Sequence, residues 1–353
     1  MKGNEIVHKI LNQYQLEDID FDVYIIADTQ KQTVSKSDPR IHHANESEFF
    51  SRREFAEIAS ALFNVFGFAK VFYSEIEFIE YIIQHKITAK ECIVYNFSRD
   101  GLRAGKKSLI PAFCDLYGIK YTGSNAFVIS LLRNKWIFSS VLSQNGVSVP
   151  ISCTFAFGRT SQTQILEVLG GKEILIKNID ESSSIGMKPS CRMTLNQSNY
   201  QQFCNVASEV NPSQVLVQEF IDGAECEVLV VKYKGSYFAL DPVEIVLPYG
   251  QSFMDSGISN NYNYSFKLLD ESMSEPVRQA AVKAAEVLGI KDYARFDFRI
   301  QEKTPYLFDI AGTPYTIRHS SIAYLFAQYG LEYEDIYKMI VTCMLSHYRG
   351  NQL

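Results

Sequence analysis

Apolar positions along the chain change period several times, and each change marks an element. Residues 22–27 form a short apolar run rich in β-formers, whereas residues 51–67 place Phe55, Ile58, Leu62 and Phe66 at helical spacing. The strand signal returns at 70–73 and 92–96, with helical patterns over 75–84 and 108–117. Strands alternating with helices in this way predict a parallel sheet covered on both faces, an α/β unit running to about residue 120. Residues 125–145 predict two successive helices that stop at Gly146, with Pro150 just beyond. From there strands are expected at 153–157, 174–177, 215–220 and 227–233, in antiparallel sheets because short turns such as 221–223 link them. The remainder predicts a helix at 276–288, strands at 294–299 and 306–310, and a final helix within 333–347. A polar, turn-rich stretch at 251–264 reads, from its length, as a mobile active-site loop.

Composition narrows the class. With 353 residues, 46% of them hydrophobic and 13% aromatic, the chain can bury the cores of two or three domains. A formal charge of -6 leaves no basic excess for a nucleic-acid backbone, so no nucleic-acid partner is expected. Local basic pairs, Arg52-Arg53 and Lys106-Lys107, read as solvated helix ends. The seven cysteines are scattered, odd in number and without a CxxC pair, which fits a reduced, cytoplasmic setting. No apolar stretch approaches a membrane span, and the N-terminus enters no apolar leader segment, so no membrane partner is expected.

The chemistry concentrates in a few places. Residues 101–108 follow a strand and precede a helix like a P-loop, but only three residues separate the glycines and a second lysine stands where Ser or Thr should meet magnesium. A better phosphate cradle begins at Lys177, a point charge at the end of an apolar run. The loop Glu181, Ser182, Ser183, Ser184, Ile185, Gly186 then presents small side chains and backbone N–H groups to a triphosphate. Alone, this motif also reads as a strand-ending lysine before a solvated turn. Arg295 and Asp297 share one strand face through the period-two alternation, and Asp309 on the next strand can face Asp297. Two carboxylates beside an arginine suit Mg2+ over nucleotide phosphates, or a structural ion pair on a sheet surface.

In this order the residues resemble the ATP-grasp superfamily, and within it the D-alanine–D-alanine ligase family, most specifically from 110–124 and on to about Ala323. The resemblance implies an α/β (α+β) ATP-grasp fold, with a parallel α/β domain (1–120) and two antiparallel-sheet lobes (121–217 and 218–353) gripping ATP. It implies a reaction in which a carboxylate takes the γ-phosphoryl group and an amine attacks the acyl phosphate. By position, Lys135 and Lys177 match lysines on the ATP phosphates, and the 181–186 loop matches a Glu-Gly-Ser-Ser-x-Gly loop, with Ser182 in place of its glycine and Ser183 near the first substrate. Gln218, Glu219, Phe220 and Ile221 fall on the adenine strand and hinge, and Glu225 on the acid that holds the ribose. Arg295 matches the arginine that stabilises the acyl phosphate, Asp297 and Asp309 the magnesium ligands, and His319-Ser320 a pair whose serine holds the acceptor carboxylate. Glu46 or Glu48 is the nearest equivalent of the acid that receives the first substrate's amine, while His42-His43 read as surface imidazoles. A homodimer is implied by resemblance only.

Three departures bear on substrates. Ala311 replaces a metal-binding asparagine, Tyr315, followed by Arg318, replaces a glycine of the acceptor pocket, and Ser259-Asn260 replace a Lys-Tyr pair that closes the donor site. The expectation is therefore an ATP-dependent ligase joining amino-acid-like substrates other than two D-alanines. A nucleotide-binding module without ligation and a true D-alanine–D-alanine ligase are the alternatives.

Overall fold

A computed structural model describes residues 3–14, 21–30, 48–88, 92–181 and 184–350. His42, His43, Glu46, Ser182 and Ser183 lie outside the described residues. The first sheet contains β1 (Asp22–Ala27), β2 (Lys70–Phe72), β3 (Cys92–Phe97) and β4 (Lys120–Tyr121), ordered β2-β1-β3-β4 with every neighbour parallel. Alternation along β1 divides two cores: Val23, Ile25 and Ala27 join α1 (Gly3–Leu11) and α2 (Arg52–Phe66), whereas Tyr24 and Ile26 join α3 (Glu75–His85) and α4 (Leu109–Tyr117). α2 starts where it does because Ser51 and Glu54 close a reciprocal capping box. Helices α5 (Ala126–Arg133) and α6 (Lys135–Gln144) follow, each N-capped by an asparagine side chain, Asn125 and Asn134.

The second sheet is antiparallel, ordered β5-β8-β6-β7, from β5 (Ser152–Ala156), β6 (Glu173–Lys177), β7 (Arg192–Thr194) and β8 (Gln214–Glu219). Ile174, Ile176, Val215 and Val217 pack against α7 (Gln162–Leu169) and α8 (Tyr200–Val210), leaving Lys177 and Gln218 toward the opposite face. The third sheet joins β9 (Ala224–Tyr233), β10 (Ser236–Ala239), β11 (Val243–Val246), β12 (Ser265–Leu268), β13 (Tyr293–Gln301) and β14 (Thr304–Ala311). Its main path runs β12-β11-β9-β13-β14. Ala294, Phe296, Phe298 and Ile300 of β13 face a core with α10 (Glu271–Leu288), while Arg295, Asp297 and Arg299 face the second sheet.

The link at 221–223 departs from expectation. It closes no hairpin, because β8 belongs to the second sheet and β9 to the third. It is the strap between the two lobes, and it crosses β13 so closely that a Cβ on Gly223 would stand 1.9 Å from the Ile300 carbonyl oxygen. The 251–264 stretch contains a short helix, α9 (Ser256–Asn260). Helix α11 (Ser321–Gln328) precedes α12 (Tyr333–Gly350), whose Ile336, Tyr337, Ile340 and Met344 share one core with α1, α2 and the Leu229 and Val231 face of β9. That core fastens the parallel sheet to the third sheet.

Candidate active site

Between the second and third sheets lies a cleft of about 630 Å³. Its floor is a row of carboxylates. Strand register sets Glu227 on β9 opposite Asp297 on β13, and Asp297 opposite Asp309 on β14. A β-bulge between Asp297 and Phe298 brings Phe308 and Asp309 both onto the cleft, which a regular strand would send to opposite faces.

Arg295 neutralises two members of the row. Its Nε and Nη2 donate to the two Asp297 oxygens, each at 2.8 Å, and Nη1 lies 3.1 Å from Glu227 Oε1. Ser321, at the start of α11, donates its hydroxyl to Glu227. Burial pushes the Asp297 carboxyl up to about 7, with Glu227 and Asp309 adding to the rise against the pull of Arg295. Burial works against the Arg295 charge, but Asp297 and Glu227 outweigh it and raise its pKa further.

The phosphate-binding candidates converge on Asp309. Lys135, the first residue of α6, donates to Asp309 Oδ1 at 2.6 Å. Its Nζ and the nearby Lys177 hold that carboxyl below its usual range although burial works the other way. Lys177 donates to Gln218 Oε1 at 2.8 Å and lies 4.8 Å from the Phe308 ring centre. Burial pulls its ammonium down to about 8, against the raising effect of Asp309.

At the strap, Phe220 lies between two guanidinium groups, Arg192 at 3.8 Å and Arg299 at 4.6 Å. Arg299 also donates to the Ile221 carbonyl at 3.2 Å, the Ser252 carbonyl at 2.8 Å and Glu225 Oε2 at 2.6 Å. Phe220, Ile221, Glu219 and Glu225 all line the cleft, Glu219 being paired with Lys172 at 2.7 Å. Ser184 donates to the Met254 carbonyl at 3.0 Å and Ser256 to the Met187 carbonyl at 3.0 Å, so the serine-rich turn and the 251–264 stretch are stitched together over one wall. Gly186 lies in that turn between Ile185 and Met187, both of which line the cleft, but does not line it itself.

The substrate candidates separate. His319 sits among Tyr262, Tyr264 and Phe266, ring centres 4.9–5.4 Å away, where burial lowers its pKa. Ser320 caps α11 and donates to the Ile317 carbonyl at 2.6 Å, and Tyr315 donates to the Glu48 carbonyl at 2.7 Å. His319, Ser320 and Tyr315 line the cleft. Arg318 does not: it stacks on Tyr333 at 4.4 Å and points to Glu57, with its side chain 60% exposed. Glu48 is fully buried, with Lys106 Nζ at 2.7 Å, Lys107 Nζ at 2.8 Å and Arg133 Nη2 at 3.6 Å. Glu181 approaches the same cations, 3.2 Å from Lys106 and 3.4 Å from Arg133.

Lys106-Lys107 are thus no solvated helix end. Both are buried because Glu48, distant in sequence, supplies the counter-charge. Glu227 and Arg299 escaped the motif reading. Their signals were the Glu225-x-Glu227 and Arg295-x-x-x-Arg299 spacings, which put each pair on one face of an otherwise apolar strand.

Two antiparallel sheets closing on a cleft with buried lysines on one side and a carboxylate row on the other form an ATP-grasp fold. The architecture is shared by D-alanine–D-alanine ligase from Bacillus anthracis (TM-score 0.67, 16% identity, 93% of this chain and 99% of that one). It is shared also by the VanG D-Ala:D-Ser ligase from Enterococcus faecalis (TM-score 0.66, 16% identity, 92% and 99%). In sequence, the D-alanine–D-alanine ligase of Verminephrobacter eiseniae is 27% identical over 250 residues, 66% of this chain and 70% of that protein. That of Cupriavidus metallidurans is 24% identical over 253 residues, 68% and 72%. The family model described as D-ala D-ala ligase C-terminus matches residues 155–342. The chain belongs to this family, and with it to the ATP-dependent carboxylate–amine ligases.

Proposed function

We propose that the protein joins a small carboxylic acid to the amine of an amino-acid-like partner through an acyl phosphate, releasing ADP and phosphate. The observation that carries this reading is the meeting of Lys135 and Lys177 at Asp309, one strand from the Arg295–Asp297 fork, within a single cleft. Lys177 and Lys135 hold the nucleotide phosphates, and Arg295 spreads the charge that builds as the phosphoryl group and then the acyl carbon are attacked. The stitched Ser184 and Met254 loops exclude water from the acyl phosphate. Gln218 to Ile221 line the adenine side, and Glu225, oriented by Arg299, faces the ribose.

Magnesium fits the donor set. Asp297 and Asp309 are hard oxygen ligands in register, and the repulsion from Glu227 and Asp309, which adds to the rise that burial imposes on the Asp297 carboxyl, is what a divalent cation relieves. When bound there, the ion would neutralise phosphate charge. On the acceptor side, Tyr315, His319 and Ser320 border the cleft, and the α11 N-terminus behind Ser320 favours a carboxylate. The departures at Tyr315 and Ser259-Asn260 favour substrates other than a pair of D-alanines. Division into units of 1–120, 121–217 and 218–353, a homodimer, a cytoplasmic setting and no nucleic-acid partner complete the reading. No helix among the described residues is long and apolar enough to cross a membrane.

The test is release of ADP and phosphate from ATP and magnesium with a panel of acids and amines, D-alanine alone included. Amine-dependent release from at least one pair is expected. Nucleotide binding with no amine-dependent release from any pair would defeat the ligase reading in favour of a nucleotide-binding module.

A further inference from the structure

The Gly101 to Ser108 turn, too short to be a P-loop, delivers charge to the far end of the cleft. Just before it stands Arg99, 1% exposed, its guanidinium 4.1 Å from the Tyr315 ring centre and 4.5 Å from that of Phe50. Nη2 donates to the Thr313 carbonyl at 3.3 Å. Among the described residues, Arg99 has no salt bridge and its Nε no hydrogen-bond partner. A guanidinium stripped of water normally sits beside a carboxylate, since desolvating a lone charge costs several kcal/mol. Lys107 is held in a left-handed backbone conformation (φ 68), which a lysine adopts only under constraint, and its N–H donates to the Asp100 carbonyl at 2.9 Å.

Arg99, Lys107 and Arg133 all line the cleft. Among the described residues, Lys106, Lys107 and Arg133 crowd Glu48, and Lys106 and Arg133 also approach Glu181, while burial lowers the Lys107 ammonium to about 7, a loss of charge that a bound anion would reverse. Glu48 lies fully buried among three of these cations, so an incoming ammonium would meet them first. Glu54 also borders this end, its carboxylate taking the Ser51 N–H at 2.7 Å and the Tyr262 hydroxyl. Behind Arg99, burial pushes the Asp28 and Glu75 carboxyls upward, which weakens both as counter-charges.

We propose that Arg99, Lys107 and Arg133 form an anion subsite for a second carboxylate of the acid substrate, so that the preferred donor is a short dicarboxylic acid rather than a neutral-side-chain amino acid. The inference rests on the ligase reading and names its donor class. Binding tests it without turnover: calorimetry of malonate, succinate and glutarate, each against its own monoamide, on the full chain with magnesium and a non-hydrolysable ATP analogue. The best diacid should bind about tenfold tighter than its monoamide, the order expected for a charge-assisted contact. Lys107→Met should shrink that ratio to about threefold or less, and Arg99→Gln should do the same if circular dichroism shows it folded.

Equal binding of every diacid and its monoamide would overturn the proposal, as would a ratio untouched by Lys107→Met. Displacement of the diacid by inorganic phosphate, with the analogue still bound, would overturn the carboxylate assignment in favour of a phosphate. ADP release is read separately. Diacid binding without amine-dependent release sinks the ligase reading but leaves the subsite standing, whereas release from monocarboxylates alone does the reverse.

Discussion

At the scale of single residues, the cleft is a set of charges balanced against one another, and removing each should leave a different kinetic mark. Arg295→Ala removes a guanidinium that also neutralises Asp297 and Glu227. We expect kcat to fall roughly 10²–10³-fold with a smaller change in KM for ATP, measured by steady-state ADP release. Lys177→Ala should act mainly through nucleotide affinity, weakening ATP binding roughly tenfold or more in calorimetry. Glu227→Gln keeps the shape of the row but removes one of the charges that raise Asp297. Its kcat should rise less steeply between pH 6 and 8 than that of the unaltered protein, and an unchanged pH profile would separate Glu227 from the titration of the row. Arg295, Asp297 and Asp309 were legible because alternation along a strand assigns faces without knowledge of partners. Glu227 was not, since its place beside Asp297 depends on β9 pairing with a strand far along the chain. Lys106 and Lys107 were misread for the same reason: nothing in their neighbourhood announces Glu48.

At the scale of elements, periodicity recovered the strands that carry most of the cleft, β6, β8, β9, β13 and β14, but missed α7, α8, α11, β11 and β12 and could not assign strands to sheets. The 221–223 link looked like a hairpin because two apolar runs flank a turn, and turn chemistry is silent on whether the chain pairs back or crosses to another layer. The bulge beside Asp297 was equally hidden, as it arises from pairing of two strands rather than from either one. Gly223 carries the crossing. Gly223→Ala would drive a methyl group into the Ile300 carbonyl, so either β13 or the strap must move. We expect a loss of about 2 kcal/mol or more in urea unfolding together with weaker nucleotide binding, whereas Gly235→Ala, with open space around its Cβ position, should spare nucleotide affinity.

At the scale of the whole molecule, the last helix holds layers together. Ile336, Tyr337, Ile340 and Met344 are each buried in the core that α1, α2 and β9 share, so a chain truncated after Gly330 should lose its cooperative unfolding transition and its solubility. The parallel domain carries its own pH signature. Burial raises the Asp28 carboxyl from 3.8 to about 7, so the folded state binds more protons than the unfolded one between those values. Stability contributed by its neutral form is therefore complete below pH 4 and lost as pH rises through 7, a cost of at most on the order of 4 kcal/mol. Asp28→Asn, which keeps an acceptor for the Arg99 and Asp100 N–H groups, should flatten the decline in unfolding free energy from pH 5 to pH 8.

One side chain gathers the mechanics of the grip. Arg299 touches the strap, Glu225 and the loop at Ser252 at once. The aperture between the lobes is thus tuned at a single hub, and altering that hub is the economical route to refitting the jaws to a bulkier nucleotide without disturbing the reacting groups.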